Sequence, residues 1–374
     1  MLNATQTRFA KLVSELINCD PFLPLRIELE RKALGKEFDE TNANWNLHPS
    51  QHRETENLQR LYDRALGILE AVVGKLDSVS ADADSTELYL DLVSFVVFHD
   101  FRDSFEQMVL DDGKSASKTY QRFYKQWTRF CPVDRFPDSV TDRVPHIFAV
   151  LFQIRRAFNN IFRNIIGSSP PVIELRAEVW HSIFTHDLRR YYASMHRAIS
   201  DFPTLITGPT GSGKELVAQA IGLSGYVPFS TESMKFASPI SKLFTSLNLS
   251  ALSPTLIESE LFGHTKGAFT GAMSDRVGWL ENCPKHGAVF LDEIGELDPE
   301  IQVKLLRVFE DRVFQRLGET TPRPFAGRIV AATNRDLTTE IKNGRFRMDF
   351  YSGFVQTESK HHHWHNAAPM TRVN

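Results

Sequence analysis

Cysteine is scarce in this chain. Its 374 residues include three, Cys19, Cys131 and Cys283, odd in number and far apart. That pattern excludes a disulfide framework and zinc-type spacing, and it fits a reducing cytoplasm. Long apolar runs are missing as well. The richest, "LVSFVVF" (residues 92–98) and "IFAVLF" (residues 147–152), fall far short of the roughly 20 residues a bilayer-spanning helix needs. The start, "MLNATQTRFAKLV", lacks the basic-then-apolar order of a secretory signal. Nor does one sign of charge dominate: a formal net charge of −3 argues against bulk electrostatic attachment to nucleic acid and leaves room only for a local basic patch. The expectation is a soluble cytoplasmic protein that does not engage a membrane.

What is present falls into two styles of sequence. Residues 1–166 read as mainly helical. In "ENLQRLYDRALGILEAVVGKL", Leu58, Leu61, Leu66 and Leu69 recur at helical spacings with charges between them. "TYQRFYKQWTRF" and "IFAVLFQIRRAFNNIFRNII" read the same way; their aromatic stripes are either the core of a helical domain or the lining of a ligand pocket, and core stripes are the commoner case. "GSSPP" (residues 167–171) punctuates the chain. Residues 167–199 form a linker with connecting helices. From residue 200 short apolar strands alternate with helices, which predicts an α/β domain with a parallel sheet over residues 200–353.

The first strand of that domain, "TLIT", leads into "GPTGSGKE" and then the helix-forming "ELVAQAIGL". Strand, glycine-rich loop and helix are the context in which Gly208, Pro209, Thr210, Gly211, Ser212 and Gly213 curl backbone N–H groups around phosphates. Lys214 then reaches the β- and γ-phosphates. Glu215 stands where a hydroxyl usually meets Mg²⁺: either the site does not work, or the metal depends on another carboxylate. "AVFLDEIGEL" supplies one: an apolar strand ends in Asp292, read as the Mg²⁺ holder, and Glu293, read as the group that orients and deprotonates the attacking water. Two acids at an ordinary strand exit are the competing reading. "RIVAATN" ends in Thr333 and Asn334, polar tips where a γ-phosphate sensor belongs.

Between these motifs lies "KGAFTGAM". It has no group for proton transfer and no metal ligand. An exposed Phe269 on such a small-residue loop calls for a partner surface; the alternative is a ring tucked beneath a tight turn of its own domain.

Taken together, "ESELFGHTKGAFTGA", "GAVFLDEIGELDPEIQVKLLRVFEDRVFQRLGE" and "RIVAATNRDL" resemble the AAA+ domain of bacterial sigma-54-dependent transcription activators. The resemblance covers roughly residues 200–351. It implies an AAA+ P-loop ATPase fold behind an N-terminal regulatory domain, ATP and Mg²⁺ as cofactors, and a ring hexamer. It also implies that Gly267, Ala268, Phe269, Thr270, Gly271 and Ala272 form a loop raised toward sigma-54 RNA polymerase holoenzyme, with Phe269 and Thr270 in contact. Glu after the P-loop lysine is common in the family. Asn248 matches an asparagine that holds the catalytic Glu, and Arg347 matches the first of two arginines given in trans to a neighbouring subunit's γ-phosphate.

Departures from the pattern accompany the match. "VPFSTESMKFASPISKLF" is longer than the family norm and predicts a surface insertion, and the lead-in at residues 185–202 is unusual. Gly353 stands where the second arginine belongs. The family's lid and helix-turn-helix are not found in residues 354–374, so DNA binding by this chain is not expected. Read from the third base of each codon from Ser352 onward, a back-translation permits R-F-C-S-D-R-I-E-T-P-P-L-A-Q, a lid-like continuation. The tail is therefore read as frame-shifted or truncated, and its four histidines (His361, His362, His363, His365) as a tag or a tail rather than a metal site. Turnover is expected to be impaired, with a truncated nucleotide-binding remnant as the alternative function.

Overall fold

The computed structural model describes residues 2–40, 56–75, 83–355 and 371–372. The expectations about the tail and its histidines fall almost wholly outside them. The residues group into two compact units: Met1–Ala177 with Asp187–Arg189 and Val227–Ala237, and Glu178–His186 with Arg190–Tyr226 and Ser238–Asn374.

The first unit is helical: α1 (Ala4–Asn18), α2 (Leu25–Leu34), α3 (Glu56–Val73), α4 (Ala83–Asp100), α5 (Arg102–Leu110), α6 (Ala116–Phe130), α7 (Asp138–Thr141) and α8 (Val144–Asn164). In α3 the buried stripe is Asn57, Leu61, Ala65, Leu69 and Val72. Leu66 is only half-buried, because Ala65 continues the four-residue step from Leu61 and holds the inward face. The aromatic stripes are core. Phe105, Phe123, Trp127 and Phe148 are fully buried, with ring centroids of Phe123 and Phe148 5.1 Å apart and edge to face, a favoured aromatic geometry.

The helix α9 (Pro170–Phe184) starts at the proline pair of "GSSPP", and α10 (Leu188–Ala193) follows. Arg189, in the short stretch that rejoins the first unit, donates to Ser14 Oγ at 2.6 Å and pairs with Asp91 at 3.1 Å and Glu87 at 3.1 Å.

The stretch expected as a surface insertion is also part of the first unit. Strands β2 (Phe229–Ser230) and β3 (Lys235–Phe236) make an antiparallel hairpin. Phe229 stacks within 4.7 Å of Tyr120 and 5.0 Å of Phe148, and Phe236 lies 5.0 Å from Phe152. Apolar burial outweighs solvent exposure here, since each ring removes a large area from water.

The second unit is a parallel sheet between helices. Its strands are β1 (Thr204–Thr207), β4 (Phe244–Asn248), β7 (Ala288–Asp292) and β10 (Arg328–Thr333), in the order β1-β10-β7-β4; a two-residue strand, β11 (Thr371–Arg372), pairs with β1 at the outer edge. All pairings are parallel. β10 is buried at every residue, as strands covered on both faces must be. Short antiparallel pairs β5 (Gly263–His264) with β6 (Arg276–Val277), and β8 (Val313–Phe314) with β9 (Arg323–Pro324), carry the loops.

The helices of this unit are α11 (Lys214–Gly222), α12 (Pro254–Phe262), α13 (Trp279–Asn282), α14 (Pro299–Asp311), α15 (Leu337–Lys342) and α16 (Met348–Val355). Asp298 is at the N-cap of α14, with Pro299 in the first turn, where proline's fixed φ suits a helix start. The core joins Leu205, Val289, Leu291, Ile329 and Ala331 of the sheet to Leu305 and Val308 of α14.

Candidate nucleotide site and protruding loop

The ends of β1, β7 and β10 deliver the expected residues to one edge of the sheet. After Thr207 the chain turns through Gly211 and Gly213, both left-handed (φ +80 and +87), a conformation glycine adopts without strain. Gly213 is the N-cap of α11, and no side chain caps that helix end. A Cβ on Gly211 would meet nothing within 4 Å. A helix N-terminus left uncapped behind a glycine turn is a ready anion site.

Lys214 is 7% exposed. Its Nζ donates to the carbonyl oxygens of Gly208 at 3.1 Å and Pro209 at 3.2 Å, and lies 3.8 Å from Glu293 Oε1. Ser212 Oγ donates back to Pro209 O, and Gly208 N–H donates to Thr333 O at 3.3 Å. The turn is thus joined both to itself and to the tip of β10.

Asp292 ends β7 opposite Asn248 of β4 in the sheet register. Burial raises the Asp292 pKa, which the nearby Lys214 ammonium and the Glu293 N–H partly oppose, while Glu215 raises it further. Glu293 adopts a left-handed backbone (φ 59, ψ 51), a state that costs a non-glycine residue on the order of 1 kcal/mol or more. Its Oε2 accepts from Asn334 N–H at 3.1 Å, and Asn334 Nδ2 donates to Thr210 Oγ1 at 2.8 Å. Thr333 is fully buried, with Oγ1 accepting from Arg335 N–H at 3.1 Å. Lys214, Asp292, Glu293, Thr210, Asn334 and Thr333 therefore converge.

Two expected residues are otherwise engaged. Asn248 Oδ1 accepts from Ser250 N–H at 3.0 Å and Ser250 Oγ at 2.8 Å. Arg347 lies on the surface and forms an ion pair with Asp349 at 2.6 Å, while its N–H donates to Gln302 Oε1 at 2.8 Å. Gly353 packs on α14: a Cβ there would lie 2.9 Å from the Phe309 ring. Ser250 was not singled out by motif, although Asn-x-Ser at a strand exit signals an Asx turn.

The loop 265–275 leaves β5 and returns through β6. Gly263 and Gly278 let the two strands approach, since a Cβ on Gly278 would lie 2.4 Å from Gly263 N and 2.5 Å from Leu261 O. Thr265 N–H donates to Leu317 O at 3.0 Å, and Lys266 N–H to Asp275 Oδ1 at 2.7 Å. Further out, Gly267 N–H donates to Ala272 O at 2.9 Å and Ala272 N–H to Phe269 O at 3.0 Å. Thr270 is exposed and Met273 is 82% exposed. Phe269 is half-buried, its ring centroid 4.9 Å from that of His264 in an edge-to-face contact.

Comparison with known proteins finds similarity over the second unit. Residues 185–357 match the sigma-54 interaction domain. The anaerobic nitric oxide reductase transcription regulator NorR of Klebsiella pneumoniae is 43% identical over 189 residues, 50% of this chain and 31% of NorR. The Nif-specific regulatory protein of Azotobacter vinelandii is 44% identical over 169 residues (45% and 30%), and the hydrogenase transcriptional regulatory protein HoxA of Bradyrhizobium diazoefficiens 46% over 252 residues (64% and 47%). The chain thus spans under half the length of these relatives. Among solved structures, NtrX of Brucella abortus in complex with ATP superposes with a TM-score of 0.41 at 23% identity, covering 68% of this chain and 47% of that one.

Proposed function

We propose that the chain is an ATP-driven activator of sigma-54 RNA polymerase that works through the loop carrying Phe269 and Thr270; the match of residues 185–357 to the sigma-54 interaction domain supports the reading. The observation that carries the reading is Lys214, buried under a glycine turn and 3.8 Å from Glu293 at the ends of β1 and β7. The protein's part in phosphoryl transfer is mainly positioning and charge stabilisation, and this edge has the groups for both.

Lys214 neutralises the terminal phosphates. Asn334 and Thr333 sense the γ-phosphate from the tip of β10. Glu293 orients and deprotonates water once Lys214 exchanges its carboxylate for phosphate. Among the described residues no group of three or more His, Cys, Asp or Glu side chains could hold a metal ion. Mg²⁺ takes one or two carboxylates and completes its shell with phosphate oxygens and water. Asp292 would hold the ion, which would offset the charge of the phosphates.

Family rings complete each site with a neighbour's arginines, and Arg347 fills the first of those roles in a homohexamer. An arginine finger contributes about 10³–10⁵ in rate, so Gly353 in place of the second favours tight nucleotide binding with slow turnover. Asn248 holds the catalytic Glu in another stage of the cycle, after leaving Ser250.

The test measures a fluorescent ATP analogue on the full chain, then sigma-54 binding with and without a transition-state analogue. Lys214→Ala weakens nucleotide binding by about tenfold to a hundredfold, the worth of charge-assisted hydrogen bonds. Phe269→Ala abolishes sigma-54 binding and leaves nucleotide affinity intact. Equal nucleotide affinity in the Lys214→Ala variant, or sigma-54 binding indifferent to Phe269, overturns the proposal.

A further inference from the structure

The loop 265–275 has a fixed base and a tip joined mostly to itself. Its base is fastened by the close approach of Gly263 and Gly278 and by Thr265 on Leu317. The hydrogen bonds further out, Gly267 to Ala272, Ala272 to Phe269 and Ala268 N–H to Thr265 O, run within the loop. Small residues add close contact with the body, since a Cβ on Gly318 would lie 2.8 Å from Ala268 Cβ, and Ala272 is buried. The Phe269 ring also reaches the body: its edge-to-face partner, His264, belongs to β5.

His264 is itself held. It is 8% exposed, and its Nδ1 is 2.7 Å from Oγ of Ser259, a residue of α12 that is 3% exposed. It also bridges to Leu317 in the β8–β9 connection. A buried hydroxyl on one ring nitrogen fixes the plane of the imidazole. A ring so fixed presents a defined surface to Phe269, whereas a freely turning one would not. The loop's other large apolar side chain, Met273, has no such seat and stands in solvent.

We propose that His264, oriented by Ser259, is a positioning residue that stows Phe269 against the domain and sets how readily the loop is offered to its protein partner. The idea rests on the function proposed above for its consequence, but not for the stowing itself. An edge-to-face pair is worth enough to shift a two-state loop by roughly two- to tenfold. The imidazole therefore biases the loop without fastening it, and one binding event suffices to release it.

The experiment places 4-trifluoromethyl-phenylalanine at position 269 of the full chain and reads its ¹⁹F signal against a soluble nitroxide. A second chain carries the same probe at position 273 as the exposed standard. In the parent sequence the probe at 269 is protected relative to the probe at 273. His264→Ala raises its relaxation enhancement two- to tenfold toward the standard, and Ser259→Ala moves it part of the way. His264→Phe keeps a ring in place and keeps the probe protected, which separates loss of the seat from loss of the fold. Nucleotide affinity stays unchanged in all three.

In parallel, sigma-54 binding without nucleotide rises in His264→Ala by the same factor. A probe at 269 as exposed as the one at 273 in the parent chain overturns the proposal. So does a His264→Ala chain, folded by its far-ultraviolet dichroism, with an unmoved signal; should that variant not fold, Ser259→Ala and His264→Phe decide by the outcomes stated. If the ¹⁹F response follows expectation while no variant binds sigma-54, the seat stands and the proposed function falls.

Discussion

Two excursions leave the chain between β1 and β7, and they are held in different ways. The hairpin of β2 and β3 carries Phe229 and Phe236 and sinks both into the aromatic wall of Tyr120, Phe148 and Phe152. The loop 265–275 carries one Phe among Gly and Ala, and that half-buried ring meets the His264 imidazole edge to face. Both are short, and both pair antiparallel strands at their base. The difference lies in apolar area committed outside the excursion itself. Burial of whole rings fixes a segment, while one edge contact leaves it able to move.

The largest expected effect tests the fixed member. Phe229, 7% exposed, loses its contacts to Tyr120 and Phe148 in Phe229→Ala, at about 3–5 kcal/mol by the usual cost of such truncations; urea denaturation followed by helix signal measures it. A loss below about 1 kcal/mol would mean the hairpin is merely laid on the surface. Next comes the base of the loop 265–275. Gly278→Ala forces a Cβ to within 2.5 Å of backbone atoms of Leu261 and Gly263. The strands must separate, at about 1–3 kcal/mol, and thermal melting together with sigma-54 binding reads the change.

Phe269→Ala is milder. It costs about 0.5–1.5 kcal/mol in the same melt, although partner binding is lost, and a larger cost would place the ring in the core. The smallest effect lies at the nucleotide end. Burial makes the folded protein hold the Asp292 proton more tightly than the unfolded chain does. The stability contribution of that proton is full below the ordinary aspartate pKa of ~3.9 and is lost as pH rises through the elevated folded value. Metal-dependent nucleotide binding has the opposite sense, weakening on acidification at a pH above that ordinary value. Isothermal titration between acid and neutral pH measures it, and Asp292→Asn removes the dependence.

Chemistry that is local in the chain was legible in the sequence. Gly211, Gly213 and Lys214 need only a strand, a turn and a helix to be placed, and the turn of Asp292 into Glu293 follows from where an apolar strand stops. The alternation of strands and helices gave the parallel sheet for the same reason. What depends on distant partners was not legible. The hairpin reads as a surface insertion because nothing in "VPFSTESMKFA" names the rings of α6 and α8 that receive it. In α3 the choice of Ala65 over Leu66 for the inward face follows from neighbouring helices, which periodicity alone does not contain. The engagement of Asn248 by Ser250 is local, yet it competes with a role inferred from resemblance, and only coordinates reveal which partner the amide has taken.

The route of the chain has one more consequence. It joins the helical unit through Met1–Ala177, again at Asp187–Arg189 and again at Val227–Ala237. No single cut divides such a molecule into its halves. A fragment begun at Glu178 would carry Phe229 and Phe236 with their seat removed, two bare rings that invite self-association. Severance of the helical portion would leave a sticky remainder rather than a liberated one.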